Sequence, residues 1–174
     1  NDHLLKTIDD EQKRIYLLNN WLDGFRGTVF RQTMFAELEH KIHELDQQGI
    51  PLTAEKLTEE YYALNKKYFG EDLVVDEEIG LEWARIPHFY YNYYVYQYAT
   101  GYSAAVSLSN QILTEGKPAV DRYINYFLKA GSSDYPIEVL KKAGVDMTSV
   151  APIEEACRVF EEKLNELESL LLNK

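Results

Sequence analysis

The chain has 174 residues, 45% of them hydrophobic, and a formal net charge of −11 at pH 7. This length suffices for one domain with a real core, and the negative charge disfavours nucleic acid or an anionic membrane as a partner. The single cysteine, Cys157, excludes an internal disulfide and is typical of a reducing compartment, so we expect a cytoplasmic protein. No apolar run approaches the roughly 20 residues that a membrane span needs, so we expect no such span.

Apolar residues recur at helical spacing along most of the chain, and turn residues separate the runs. Gly24 and Gly27 interrupt the first run, Thr53 precedes the third, and Pro118 and Pro152 stand where later runs begin. No alternating strand pattern is present, so we predict an all-α multi-helix bundle and a single domain over 1–174. The predicted helices cover 4–22, 28–47, 53–68, 87–113, 118–130, 137–143 and 152–172.

The stretch EHKIHELDQ, residues 39–47, is the strongest lead for a metal site. His40 and His43 share a helix face at i,i+3 spacing. His43 and Glu44 begin like the zinc motif HExxH, but Gln47 stands where the second histidine would be. Glutamine is a poor zinc ligand and the stretch is rich in charge, which favours an exposed helix surface over a metal site.

The segment IPHFYYNYYVYQYATGYSAA, residues 86–105, contains seven of the fourteen tyrosines. On a helical wheel Tyr90, Tyr94, Tyr98 and Tyr102 form one stripe, which packing alone would explain. Another face carries Tyr93 and Tyr96, followed by small hydroxyl residues, Thr100, Ser103 and Ser107. Two phenols on one face can donate to a single oxygen, as stabilisation of an oxyanion requires. His88, just after Pro87, would add a third donor, so packing and function both remain open for this segment.

Three long segments, FRQTMFAELEH, HFYYNYYVYQYATGYSAA and FLKAGSSDYPIEVLKKAGVDMTS, resemble in sequence and order the C-terminal part of the oligoendopeptidase F family. These are zinc peptidases related to thimet oligopeptidase. The resemblance implies the C-terminal helical portion of a zincin-type metalloendopeptidase that hydrolyses short peptides. In the family, two histidines of HExxH and a glutamate of the next helix hold the zinc, and the motif glutamate is the general base.

None of those four residues is present in this chain. Asn1 and Asp2 match an Asn-acidic pair that follows the third ligand, so we expect the chain to begin shortly after the zinc site. The opening NDHLLKTIDD, without Met or a signal-peptide pattern, also suggests a missing N-terminal part. The expected partners are therefore short peptides and the N-terminal remainder of the peptidase. Zinc is expected in the intact enzyme, whereas the fragment should lack both metal and activity.

The resemblance also assigns roles to three residues. Family members carry a histidine and then a Tyr-Tyr-x-Tyr motif, which His88 and YYVY at 93–96 match, although with a shorter intervening loop. It implies that His88 and Tyr93 bind the peptide and that Tyr96 is catalytic, donating to the oxyanion. The alternative is a non-catalytic helical module that binds a peptide or partner helix.

Two charged features receive structural interpretations. Arg31, in the segment FRQ, is interpreted as a buried ion-pair partner rather than as a catalytic group. The acidic run DEEIGLE, residues 76–82, is interpreted as a solvated surface. Neither is expected to contribute to the site.

Overall fold

A computed structural model describes residues 2–172. All regular structure in that range is helical, which confirms the predicted all-α class. Two 3₁₀ helices, Glu77–Arg85 and Pro87–Tyr90, and two π-helical turns, Arg26–Phe30 and Tyr123–Leu128, supplement the α-helices. The α-helices are α1 (Asp2–Thr7), α2 (Glu11–Phe25), α3 (Arg31–Gln47), α4 (Ala54–Phe69), α5 (Tyr96–Glu115), α6 (Lys117–Arg122), α7 (Pro136–Lys142) and α8 (Ala151–Leu172).

Capping side chains explain two of the helix starts. Thr53 is extended and its hydroxyl accepts from the backbone N–H of Lys56, so α4 begins where it was predicted to begin. Asp10 does the same for the N–H of Lys13. The prediction of one helix over 4–22 is therefore wrong, because the Asp10 cap begins a new helix after α1. The predicted interruption at Gly24 is wrong too, since that residue lies inside α2.

The chain forms two compact units, Gly27–Ala99 and the described residues before Gly27 together with those from Thr100 onward. The prediction of a single domain over 1–174 stays a prediction. In the unit 27–99, α3, α4 and the segment around Pro87 share one apolar core. Its buried members are Met34, Phe35, Leu38, Tyr61, Ile86 and Val95. Each large side chain buried in such a core contributes about 1.5–3 kcal/mol to stability.

A close approach joins the 3₁₀ helix Glu77–Arg85 to α4. A Cβ on Gly80 would lie 2.9 Å from the Cγ2 of Thr58, so only glycine fits there without a shift. The indole N–H of Trp83 donates to the Thr58 hydroxyl at 3.1 Å. These contacts hold the 3₁₀ helix that precedes His88 against α4.

The sequence predicts that the acidic run 76–82 is a solvated surface. This prediction is wrong for Glu82. The Glu82 side chain is only 7% exposed and accepts from Arg31 at 2.5 Å, from the Tyr61 hydroxyl at 2.5 Å, and from Arg85. Burial opposes ionisation of Glu82, but the hydrogen bonds from Arg31 and Tyr61 outweigh it and lower the pKa of the carboxyl. The structural ion pair predicted for Arg31 is confirmed.

The other unit has two apolar clusters. One joins α1, α2 and α8 through Leu5, Leu18, Leu22 and Leu167, and the other packs α5 against the end of α7. The ring of Tyr102 on α5 lies edge-on to Phe25, at 5.5 Å between centroids. Within the described part of the chain, every helix is too short or too polar to span a bilayer.

Candidate active site

The segment between Ile86 and Val95 is not part of an α-helix, and most of its aromatic side chains are exposed. Pro87 begins a single 3₁₀ turn that ends at Tyr90, and α5 begins only at Tyr96. Ile86 and Val95 are both buried, so they anchor the two ends of the segment in the core of the unit. Between them the tyrosines lie exposed, to as much as 83% for Tyr90.

Two predictions fail at this point. A continuous helix over 87–113, the most buried of the fold, is not observed, because the backbone at Asn92 and Tyr93 has φ of 48° and 56°. Such positive values lie in the left-handed region and end a right-handed helix. The helical wheel therefore does not apply before Tyr96. Tyr90, Tyr94 and Tyr98 are exposed rather than buried in the core, and of the predicted packing stripe Tyr102 is the member whose ring packs against the buried Phe25.

A buried carboxylate contacts the backbone at the break in the helix. Glu39 on α3 is 1% exposed, and its Oε1 accepts from the backbone N–H of Tyr93 at 2.5 Å. One turn along α3, the His43 ring lies against the Tyr93 ring at 4.5 Å between centroids. The Nδ1 of His43 is 2.7 Å from the carbonyl oxygen of Glu39, and because a carbonyl can only accept, Nδ1 carries the proton.

His88 lies at the centre of an aromatic cluster. Its Nε2 is 3.0 Å from the hydroxyl of Tyr98. Its ring stacks on Tyr94 at 6.0 Å and meets Tyr91 and Tyr98 edge-on at 6.1 and 5.5 Å. The cluster thus combines ring faces with groups that both donate and accept hydrogen bonds. Partial desolvation by these rings raises the pKa of the Tyr98 phenol, and the Tyr94 and Tyr91 phenols add to the rise.

The three predicted site residues thus lie within nine consecutive positions without sharing one helix face. His88 lies in the aromatic cluster, half-buried. Tyr93 lies against His43 with 43% of its surface exposed, and Tyr96 begins α5 with 49% exposed. Of the small residues predicted to line an open face, Ser103 and Ser107 are instead buried, at 1% and 2% exposed, and Ser107 donates to Glu155 at 2.5 Å, whereas Thr100 is half-buried.

Sequence reasoning missed Tyr98, Glu39 and His43 as contributors to this region. The packing role predicted for Tyr98 requires a helix through 91–95, which the structure does not contain. Glu39 and His43 belong to the stretch 39–47, which the sequence presents as a charged helix surface. Nothing in that pattern indicates their contact with Tyr93. The burial of Glu39, between Leu38 and His40 in the sequence, would have pointed to this contact, but burial is a property of the fold that the sequence does not show.

Metal binding finds no support among the described residues, where no group of three or more His, Cys, Asp or Glu side chains could hold an ion. His40 is exposed and lies 3.3 Å from Glu44, so the surface interpretation is confirmed for it. That interpretation is wrong for His43, which is half-buried against Tyr93. Asn1, the first residue of the matched Asn-acidic pair, lies outside the described residues, as does the side chain of Asp2.

Comparison with known proteins gives the class. The family described as "Peptidase family M3" matches residues 1–159. This match covers most of the chain, and the chain belongs to peptidase family M3.

The similar proteins are all much longer than this chain. The sequence is 72% identical over 171 residues to "Oligopeptidase PepF" of Bacillus subtilis (strain 168), covering 98% of this chain and 25% of that protein. It is 53% identical over 168 residues to "Oligoendopeptidase F, chromosomal" of Lactococcus lactis subsp. cremoris, covering 97% and 28%. A crystal structure of oligoendopeptidase-F from Enterococcus faecium superposes with a TM-score of 0.95 at 56% identity, covering 99% of this chain and 33% of that one. The predicted resemblance to oligoendopeptidase F is confirmed, and the chain spans between a quarter and a third of these relatives' lengths.

Proposed function

We propose that this chain is the C-terminal portion of a zinc-dependent oligoendopeptidase that hydrolyses peptide bonds in short peptides. Its contribution is the wall of the cleft that binds the peptide and stabilises the oxyanion. The single observation that carries the proposal is the exposed segment His88 to Tyr96, whose phenols and imidazole lie outside the core in a chain of peptidase family M3.

The chemistry of the segment suits a peptide backbone. Peptide groups offer one donor and one acceptor per residue, and phenol and imidazole groups can pair with either. Ring faces contact apolar side chains without requiring one particular sequence, which is consistent with relatives named oligopeptidases. His88 and Tyr93 bind the peptide in this proposal.

Tyr96 has the catalytic role. A phenol hydroxyl is a hydrogen-bond donor, so it can donate to an oxygen on which negative charge develops. A hydrogen bond that strengthens in the transition state accelerates the reaction, whereas one that is equally strong with bound substrate does not.

In this proposal the zinc ion is held by residues outside this chain. The described residues do not form a metal site, so this chain contributes peptide-binding and oxyanion-binding groups rather than metal ligands. The N-terminal remainder of the same peptidase would supply it. We place the enzyme in the cytoplasm, in keeping with its single cysteine.

Replacement of Tyr96 in the full-length protein tests the catalytic role. Tyr96→Phe keeps the ring and removes the donor, which should lower kcat by about 10²–10³ with little change in KM. The assay is cleavage of a quenched-fluorescent peptide at equal zinc content. Tyr16→Phe, at an exposed tyrosine of α2 outside this segment, is the matched control and should leave kcat within about twofold of wild type.

The alternative is a non-catalytic helical module that binds peptides through the same exposed rings. The two functions differ in a simple observable. The peptidase requires a native protein several times the mass of this chain that cleaves the fluorescent peptide, whereas the module would bind that peptide and leave it intact. Binding without cleavage by the full-length protein would therefore favour the module.

A further inference from the structure

Two side chains of α3 contact Tyr93, one at its backbone and one at its ring. Glu39 Oε1 accepts from the Tyr93 backbone N–H at 2.5 Å, and the His43 ring, one helical turn later, lies tilted against the Tyr93 ring at 4.5 Å between centroids. Residues four apart share one face of a helix, so a rigid element presents both contacts together. The peptide-binding role proposed for Tyr93 does not by itself require either contact.

The position of Glu39 is unusual for a carboxylate. It is 1% exposed, between the buried Leu38 and the half-buried Ile42 on the core side of α3. A buried carboxylate is strongly unfavourable unless donors satisfy it. No described side chain leaves a buried polar atom unpaired, and the Tyr93 N–H is one of the donors that Glu39 has. The interaction joins residues 54 positions apart in the chain.

The backbone at this point adopts a conformation that it would not adopt without support. Asn92 and Tyr93 are the non-glycine residues with positive φ in the described chain, at 48° and 56°. Asparagine tolerates the left-handed region, but tyrosine does so rarely. Residues in such conformations persist only where surrounding contacts hold them, and they concentrate at functional sites.

We propose that Glu39 and His43 are positioning residues that hold Tyr93 in its left-handed conformation and thereby present its phenol to the substrate peptide. The Glu39 carboxylate fixes the backbone of Tyr93. The Nδ1–H of His43 donates to the backbone carbonyl of Glu39, which fixes the imidazole ring against which the Tyr93 ring lies. This inference rests on the proposed function, because it assigns a purpose to the exposure of Tyr93. It adds two residues that act through Tyr93 without touching the peptide.

The first experiment measures the segment itself, without reference to activity. Hydrogen–deuterium exchange of the peptide covering 91–95 is compared in the full-length protein for wild type, Glu39→Gln, Glu39→Leu and His40→Leu. Glu39→Leu removes the acceptor and should speed this exchange about tenfold, because the protected N–H opens more readily. Glu39→Gln keeps an oxygen acceptor and should have a smaller effect, and His40→Leu, at the exposed neighbour, should have none.

The second experiment asks whether the effect passes through Tyr93. KM is measured for His43→Ala and His43→Phe in the wild-type and Tyr93→Phe backgrounds. His43→Ala should raise KM about three- to tenfold, as expected for the loss of one well-placed hydrogen bond to the peptide. His43→Phe keeps a flat ring under Tyr93 and should restore most of the loss. In the Tyr93→Phe background the effect of His43→Ala should shrink toward zero, because residues that act through one group are not additive.

The outcomes separate this inference from the function on which it rests. Unchanged exchange of 91–95 in a folded Glu39→Leu protein would overturn the positioning role, as would full additivity of His43→Ala with Tyr93→Phe. If Glu39→Leu does not fold, the His43 pair and the Glu39→Gln exchange still decide. If exchange rises as expected but Tyr93→Phe leaves KM unchanged, the positioning of Tyr93 is supported and its peptide-binding role is overturned.

Discussion

The imidazole of His88 and the phenol of Tyr98 meet across the break in the helix, with 3.0 Å between Nε2 and the hydroxyl oxygen. His88 belongs to the 3₁₀ turn Pro87–Tyr90, whereas Tyr98 lies in the first turn of α5. The Tyr98 phenol keeps its proton at neutral pH, the more so because its pKa is raised. It can therefore donate to Nε2 of His88 in the tautomer whose ring proton is on Nδ1.

This relationship predicts a modest effect of Tyr98→Phe on substrate binding. The substitution removes one neutral hydrogen bond, worth about 0.5–1.5 kcal/mol or roughly two- to tenfold, while the ring contacts with His88 and Tyr94 remain. We expect KM to rise by less than tenfold, with kcat nearly unchanged, in a peptide cleavage assay. Tyr126→Phe, at an exposed tyrosine of the other unit, is the control.

A loss at Tyr98 as large as that at Tyr96 would contradict this assignment. The sequence also leads to an expected loss under tenfold for Tyr98→Phe, but for a different reason, since it places Tyr98 on a packing stripe. The ring proton of His88 distinguishes a hydrogen bond from packing as the role of Tyr98. Its nuclear magnetic resonance signal should shift in Tyr98→Phe if the hydroxyl orients the imidazole, and packing alone would leave that signal in place.

Local signals are sufficient to predict most of the helices but not the break before α5. The cap at Thr53 and the proline at Pro152 lie close in sequence to the helix starts that they mark, so one sequence suffices to find them. At the helix break, by contrast, the backbone contacts Glu39, which lies 54 residues from Tyr93. A pattern of 3.6 residues contains no information about a carboxylate on another helix, and the tyrosine run alone is compatible with a continuous helix.

The same limit applies to Glu82. Within DEEIGLE it is one of several acidic residues, and only the fold brings it against Arg31 of α3 and Tyr61 of α4. The resemblance to a family could point to His88, Tyr93 and Tyr96, because those residues form a motif. It could not indicate which side chains hold the motif in place, since that is a property of packing.

Metal analysis of the isolated chain gives a further prediction. We expect no stoichiometric zinc after dialysis, because zinc sites need three or four ligands and the described residues bring no such group together. The measurement is elemental analysis of the purified 174-residue chain. Tight binding that disappears in both His40→Ala and His43→Ala would contradict this prediction and restore the stretch 39–47 as a metal site.

The network around Glu82 predicts a loss of stability. Glu82→Leu leaves the Arg31 guanidinium and the Tyr61 hydroxyl without their shared acceptor, which costs about 1–3 kcal/mol for each buried donor left unpaired. We expect the urea unfolding midpoint to fall accordingly. Glu77→Leu, at an exposed position of the same 3₁₀ helix, is the control and should change stability by less than about 0.5 kcal/mol. Equal effects of the two substitutions would mean that Glu82 makes no special contribution.

The pKa of Glu82 sets the direction of a pH effect. Burial alone would raise this pKa, but the hydrogen bonds from Arg31 and Tyr61 outweigh burial and hold it below the ordinary value of 4.5. A carboxyl whose pKa is lower in the folded state binds protons more readily when unfolded. Its stabilising contribution is therefore fully present above about pH 4.5 and is lost as the pH falls through the lower folded value.

This sign leads to a measurable difference between two variants. Glu82→Gln cannot titrate, so the stability gap between wild type and Glu82→Gln should be largest near neutral pH and should narrow as the pH falls below about 4.5. Glu77→Gln, at an exposed carboxyl, should show a gap that is small at every pH. The measurement is the free energy of unfolding in urea at a series of pH values. A gap that widens on acidification would mean that the folded state raises the pKa of Glu82, and the ion pair with Arg31 would then not be what keeps this buried carboxyl charged.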